Sequence, residues 1–87
     1  MNKIIWSKIS FEQYKSWQLN DKRIVKKINE LISSIVNDGM LEGIGNPQQL
    51  KHNNGYYRLI DVYNRLVYTK DNDDNLIIIS CKGYYEY

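Results

Sequence analysis

The stretch Asp21-Lys-Arg-Ile-Val-Lys-Lys-Ile-Asn-Glu-Leu-Ile-Ser-Ser-Ile-Val36 decides the fold of this chain. Asp21 can cap the first turn of a helix with its carboxylate, and Gly39 can end the helix because glycine readily adopts the left-handed conformation. The pattern therefore predicts a helix over residues 21–37. Its apolar residues recur at the spacing i, i+1, i+4, i+7, i+8, i+11 and i+12, which is one helical face: Ile24, Val25, Ile28, Leu31, Ile32, Ile35 and Val36.

A shorter helix is predicted just before it, over residues 10–20. Ser10 can cap its first turn, and Gln13 follows three residues later, where it can complete a capping box. Few polar residues separate the two helices, so they are expected to form an antiparallel hairpin. The preceding residues 3–6, Lys-Ile-Ile-Trp, combine β-branched and aromatic side chains and predict a short strand.

The second half of the chain predicts a loop and then a sheet. Helical periodicity is lost over residues 40–55, which contain the only proline, and this segment is predicted to be a loop. A loop this long in a small domain is usually either functional or disordered. We expect this one to be ordered, because it contains apolar residues that can anchor it. The anchors are Leu41, Ile44 and Leu50.

Three strands are predicted after the loop, over residues 56–62, 65–70 and 76–81. The turns between them are short, which implies an antiparallel meander. The element order is therefore β-α-α-β-β-β, and the fold class is α+β with a helical hairpin packed on an antiparallel sheet. Residues 1–87 are expected to form a single domain, since chains this short rarely bury two cores. The expected core includes Ile28, Leu31, Ile35, Leu66 and Ile78.

Composition sets limits on function. The formal net charge is +2, so a polyanionic partner would need the basic residues to cluster. The only cysteine, Cys81, excludes an intramolecular disulfide and a paired-cysteine metal motif, and this favours a reducing cytoplasm. No stretch approaches the roughly 20 apolar residues of a membrane span, so we expect a soluble protein with no membrane partner.

Five blocks of the sequence carry a resemblance to a known family. Together they cover nearly the whole chain and resemble the YoeB family of bacterial toxin–antitoxin modules, within the RelE superfamily. The matching blocks are Ile-Trp-Ser at 5–7, Asp-Lys-Arg-Ile-Val-Lys-Lys-Ile-Asn-Glu-Leu-Ile at 21–32, Glu-Gly-Ile-Gly-Asn-Pro at 42–47, Leu-Lys-His at 50–52 and Asn-Arg-Leu-Val-Tyr at 64–68.

The resemblance implies a RelE-like fold and a ribosome-dependent endoribonuclease that cleaves mRNA with neither metal nor cofactor. It also implies a cognate antitoxin, the ribosome and mRNA as partners, and it leaves a homodimer open. A ParE-like inhibitor of DNA gyrase on the same fold is disfavoured, because the matching blocks are those of YoeB. The competing hypothesis is a catalytically impaired module that binds ribosome or antitoxin without efficient cleavage.

Cleavage of RNA without a metal needs a base for the 2′-hydroxyl, an acid for the leaving oxygen and a cation for the charged phosphorane. Arg65 matches the family arginine for the cation, although a solvated strand arginine is the alternative. Gln48 stands where the resemblance places the glutamate base. Tyr84 and Tyr85 align with the terminal His-Tyr pair, while a slipped alignment would put Glu86 at the histidine. An amide cannot serve as the base, and a phenol ionises only near pH 10, so weakened catalysis is predicted.

Other residues could take over part of the chemistry. The resemblance to RelE, which uses lysines, arginines and a tyrosine, suggests Lys51 and Arg58 beside Arg65 and Tyr84 or Tyr85. His52 is a candidate proton carrier, and a loop histidine bonded to backbone is the alternative. Base stacking by some of the tyrosines is also expected, while several others should be core residues. The basic residues of the second helix, which are candidates for RNA phosphates or form a merely solvated face, are Lys22, Arg23, Lys26 and Lys27.

Overall fold

Both predicted helices form in the computed structural model, which describes residues 1–84. Helix α1 spans Lys8–Asn20 and helix α2 spans Lys22–Asp38. Asp21 caps α2 as predicted, since its side chain accepts hydrogen bonds from the backbone N–H groups of the second and third residues after it. Gly39 ends α2 with a φ of 112°, a conformation that few residues other than glycine adopt.

Helix α1 begins earlier than predicted, because Ser7 and not Ser10 is its cap. The Ser7 Oγ accepts the N–H of Ser10 at 3.0 Å. Ser10 itself is fully buried, and its hydroxyl donates to the carbonyl of Ile78 at 2.7 Å. The predicted capping box is therefore wrong: Gln13 accepts a hydrogen bond from the N–H of Cys81 at 2.7 Å instead. Both side chains instead form hydrogen bonds with residues in or just after the last strand, which are distant in sequence.

The sheet has five strands, which are β1 Ile4–Trp6, β2 Gln48–Gln49, β3 Tyr56–Leu59, β4 Arg65–Lys70 and β5 Leu76–Ser80. They lie side by side in the order β1-β5-β4-β3-β2. The central β3, β4 and β5 form the predicted antiparallel meander. Strand β1 pairs in parallel with β5, so the sheet is mixed and not wholly antiparallel. The chain between these two strands contains both helices and strands β2 to β4, which gives the long connection that parallel pairing requires. A further short strand forms within the predicted loop.

The core lies between the helical hairpin and one face of the sheet. All five residues predicted for the core, Ile28, Leu31, Ile35, Leu66 and Ile78, are fully buried. The predicted α+β class, with a helical hairpin packed on one sheet, is confirmed. Within residues 1–84, no helix is long and apolar enough to cross a lipid bilayer. Since successive side chains of a strand point to opposite faces, the residues that alternate with the core positions of β3 and β4 lie on the face away from the helices.

Candidate functional site

Arg65 lies between two tyrosine rings. Its guanidinium carbon is 4.1 Å from the ring centroid of Tyr57 and 3.9 Å from that of Tyr84. Both distances are well within the range of cation–π attraction, and a planar guanidinium can stack on aromatic faces in this way. Both rings therefore pack against the guanidinium, whose N–H donors lie along its edges.

Strand pairing accounts for one side of this arrangement. In the β3–β4 register, Leu59 is opposite Arg65 and Tyr57 is opposite Val67. Tyr57 and Leu59 are two residues apart and so share a face of the sheet, and Arg65 shares it because paired residues point the same way. This is the face away from the helical hairpin.

The segment after β5 supplies the other ring. The backbone N–H of Arg65 donates to the carbonyl of Gly83 at 3.0 Å, which brings the segment alongside the start of β4. Gly83 has a φ of 71°, in the left-handed region. The hydroxyl of Tyr84 then donates to the carbonyl of Val62 at 3.0 Å, across the β3–β4 turn. The candidate Tyr85 lies outside the described residues.

The charge of Arg65 is not neutralised within residues 1–84. Arg65 takes part in none of the ion pairs formed among these residues. Its Nε is buried and has no hydrogen-bond partner among them. A stacked guanidinium with unsatisfied donors is suited to an external anion, and phosphate oxygens match its fork of N–H groups.

Gln48 lies next to this cluster. It is directly opposite Tyr57 in the β2–β3 pair, so both side chains share the face that carries Arg65. Gln48 is exposed, and its Nε2 donates to the Oδ1 of Asn46 at 3.1 Å. The structure therefore brings Gln48, Tyr57, Arg65 and Tyr84 onto one surface.

Lys51 and His52 are not part of that surface cluster. Both are exposed in the connection between β2 and β3, beside the Tyr56 end of β3. Arg65 is paired with Leu59 at the opposite end. The four residues of β3 separate the two ends by about 10 Å along the strand, and no hydrogen bond among residues 1–84 joins either side chain to Arg65.

Arg58, predicted to bind RNA, occupies a different place and requires a correction. It is fully buried on the core face, opposite Leu66, and its five N–H donors are all taken. The acceptors are the hydroxyls of Tyr68 and Ser34 and three carbonyls of the 39–44 loop, those of Gly39, Glu42 and Ile44. With no free donor and no exposure, Arg58 cannot contact a phosphate in this conformation.

Arg58 is also what orders the loop after α2. Leu41 and Ile44, predicted to anchor this loop, are about half exposed, at 48% and 46%. The guanidinium of Arg58 binds loop carbonyls instead. Burial raises the pKa of the Tyr68 hydroxyl, which donates to the carbonyl of Met40 at 2.6 Å and accepts from Arg58.

The basic residues of α2 belong to another surface. Lys22, Arg23 and Lys26 are exposed and Lys27 is half-buried. With Gln18 and Asn29, Lys22 and Lys26 line a shallow groove on the outside of the helical hairpin. The hairpin covers the face of the sheet opposite Arg65, so the basic helix face and the Arg65 cluster point in different directions.

The sequence does not single out Tyr57 among its eight tyrosines. The strand alternation that puts Tyr57 beside Arg65 depends on the β3–β4 register, which local sequence pattern does not specify. Within residues 1–84, no three side chains of His, Cys, Asp or Glu are grouped so that they could hold a metal ion.

Comparison with known proteins gives consistent matches. The family described as "YoeB-like toxin of bacterial type II toxin-antitoxin system" matches residues 6–85. Toxin YoeB of Escherichia coli (strain K12) is 48% identical over 85 residues, covering 95% of this chain and 99% of that protein. Among solved structures, the YoeB–YefM complex from Staphylococcus aureus aligns with a TM-score of 0.88 at 48% identity, covering 95% of this chain and 97% of that one. The YoeB dimer from the same organism aligns with a TM-score of 0.89 at 52% identity, with the same coverage.

Proposed function

Because the chain belongs to the YoeB family of toxins from bacterial type II toxin–antitoxin systems, we propose that it is a metal-independent endoribonuclease that cleaves mRNA on the ribosome and so inhibits translation. It would act in the cytoplasm, as a single domain, with no cofactor. The scissile phosphate would bind at the edge of the Arg65 guanidinium, on the sheet face away from the helices.

The state of Arg65 is the observation that carries this proposal. A cation packed against Tyr57 and Tyr84, with no ion pair in residues 1–84, keeps its charge for a ligand. Its Nε is enclosed, so the terminal guanidinium N–H groups would be the donors that meet a phosphate. Such preorganised donors stabilise the developing charge of a phosphorane more than they stabilise the ground state. Arg58 provides the contrast. Its role is structural, and all of its N–H donors are bonded within the protein.

Catalysis is proposed to be weaker than a glutamate–histidine pair would give. Gln48 lies on the site surface, but its amide has no basic lone pair with which to accept the 2′-hydroxyl proton. Tyr84 brings a phenol in place of an imidazole. Each well-placed acid or base is worth about 10²- to 10⁴-fold, so the chain would rely mainly on positioning and on the charge of Arg65.

A cognate antitoxin is proposed as the regulating partner. The relative from Staphylococcus aureus was solved as a YoeB–YefM complex and also as a YoeB dimer. For this chain, an acidic or amphipathic segment laid over Arg65 would neutralise the cation and block access to RNA. A homodimer is the second assembly to be sought. The basic face of α2 would meet ribosomal RNA phosphates, at a distance from the cleavage site.

Cleavage of mRNA on programmed ribosomes under single-turnover conditions tests the proposal. The parent is expected to cut, and Arg65→Ala is expected to be slower by about 10²- to 10³-fold. Lys15→Ala is the matched control, because it removes a cation that also lies over an aromatic ring, that of Phe11, but is exposed on α1 and belongs to no proposed RNA-binding surface. His52→Ala should lose much less than Arg65→Ala.

Two outcomes would contradict this assignment. An Arg65→Ala variant as fast as the parent would remove Arg65 from the site. A parent that co-sediments with ribosomes but leaves mRNA intact would instead favour the catalytically impaired binding module.

A further inference from the structure

Asn64, which precedes Arg65, forms a bridge that the proposed function does not explain. It belongs to the turn between β3 and β4, yet it is only 9% exposed. Its Oδ1 accepts the N–H of Gly83 at 2.8 Å, and its Nδ2 donates to the Oδ1 of Asp61 at 3.0 Å. The side chain thus links the β3–β4 turn to the segment that carries Tyr84.

The two partners determine which way the amide faces. The Asp61 carboxylate can only accept, and the Gly83 N–H can only donate, so exchanging the oxygen and nitrogen of the amide would break both bonds. Asp61 is itself fixed, because the same Oδ1 accepts the backbone N–H groups of Tyr63 and Asn64, both at 2.8 Å. The turn therefore presents a rigid acceptor to Gly83.

Gly83 is held from two sides by consecutive residues. Asn64 binds its N–H, and the backbone N–H of Arg65 binds its carbonyl at 3.0 Å. With the Gly83 peptide groups fixed in the left-handed conformation, the next residue is directed back over the start of β4. Tyr84 then closes the arrangement through its hydroxyl on the carbonyl of Val62, with its ring 3.9 Å from the guanidinium carbon of Arg65.

We propose that Asn64 is a positioning residue, which holds Tyr84 against Arg65 and thereby fixes the direction of the guanidinium edge. The side chain of Asn64 is nearly buried and both its polar atoms are engaged, so it acts through Tyr84 and not on RNA directly. This inference rests on the proposed function of Arg65 in one respect only: the consequence for cleavage. The placement of Tyr84 is testable without it.

NMR of the folded protein tests the placement. Protons above a ring face are shifted upfield, so the side-chain methylene signals of Arg65 should lie upfield of those of an exposed arginine such as Arg23. Asn64→Ala should move them part of the way back, and Tyr84→Leu should move them by a similar amount. The double variant should move them no further than Tyr84→Leu alone, because both changes remove the same ring.

A second variant covers the case in which Asn64→Ala does not fold. Asn64→Asp keeps the size and the acceptor for Gly83 but places a second carboxylate about 3 Å from Asp61, where like charges repel. It should lose the upfield shift as well. Asn20→Ala, at an exposed asparagine at the end of α1, is the matched control and should leave the Arg65 signals unchanged.

The kinetic consequence is a selective loss of rate. In the single-turnover ribosome assay, Asn64→Ala should lower the cleavage rate constant at saturation about tenfold through misplacement of the guanidinium, while the concentration that gives half of the maximal rate stays unchanged. If Asn64→Ala or Asn64→Asp kept the parent's Arg65 shifts or the parent's cleavage rate constant at saturation, the inference would be overturned. If the parent itself did not cleave, the proposed function would fail while the NMR comparison still decided the role of Asn64.

Discussion

Replacement of Arg58 by methionine is the sharpest test of how this fold is held together. Methionine keeps most of the apolar length of the side chain but removes the guanidinium. Five hydrogen bonds are lost, three of them to carbonyls of the 39–44 loop. No carboxylate of residues 1–84 lies within ion-pair distance of Arg58. Asp38 is linked to Arg58 through Ser34, whose hydroxyl accepts from the guanidinium and donates to the Asp38 carboxylate at 2.8 Å.

The expected loss is about 4 kcal/mol in the free energy of unfolding. Hydrogen bonds to charged groups contribute about 1.5 to 3 kcal/mol each, but in one network they do not add, and breaking a buried charged network costs about 3 to 5 kcal/mol. Since a domain of this kind is stable by only about 5 to 15 kcal/mol, the variant should fold with little margin.

Urea unfolding followed by tryptophan fluorescence measures this loss. Arg23→Met is the matched control, because Arg23 is exposed and should change stability by no more than about 0.5 kcal/mol. An Arg58→Met variant that lost less than about 1 kcal/mol, yet bound RNA more weakly than the parent, would refute the structural role. It would return Arg58 to the RNA-binding residues.

Three further outcomes are expected. Arg65→Lys should lose nearly as much cleavage in single-turnover assays as Arg65→Ala, since an ammonium cannot stack between two rings as a planar guanidinium does; a lysine variant near the parent rate would contradict this. Gln48→Glu combined with Tyr84→His should speed cleavage in the same assay, because a carboxylate and an imidazole titrate nearer neutral pH; no gain would place the proton-transfer groups elsewhere. Burial raises the pKa of Cys81 from its ordinary 9.0 to about 12, so its contribution to stability is present below pH 9 and is lost as pH rises towards 12. Between pH 8 and 10 the parent should lose about 1.4 kcal/mol more than Cys81→Ala in urea unfolding, and equal losses would show that the thiol is not the cause.

The helical hairpin and its core were predictable from local pattern. The spacing of Ile28, Leu31 and Ile35 fixes one apolar face, and Asp21 and Gly39 mark the ends of α2 by chemistry that acts within a few residues. Such signals need no knowledge of the rest of the chain. The family blocks added the expectation for Arg65, and the structure gives that residue a setting compatible with it.

The environment of each arginine depended on the tertiary structure. Arg58 and Arg65 are equally charged, and both lie in predicted strands. Strand pairing turns Arg58 towards the core opposite Leu66 and turns Arg65 to the other face, and this register is set between strands.

The same reason explains the parallel β1–β5 pair, the bonds of Ser10 and Gln13 with the end of the sheet, and the Tyr84 ring over Arg65. Each joins residues that are distant in sequence. The sequence by itself determined both helices and the four longer strands, because periodicity and β propensity are local; β2 and the cap of α1 were not predicted. Only the folded chain decided which arginine is enclosed in the core and which lies on the outer face of the sheet, because that depends on the neighbours that packing brings to it.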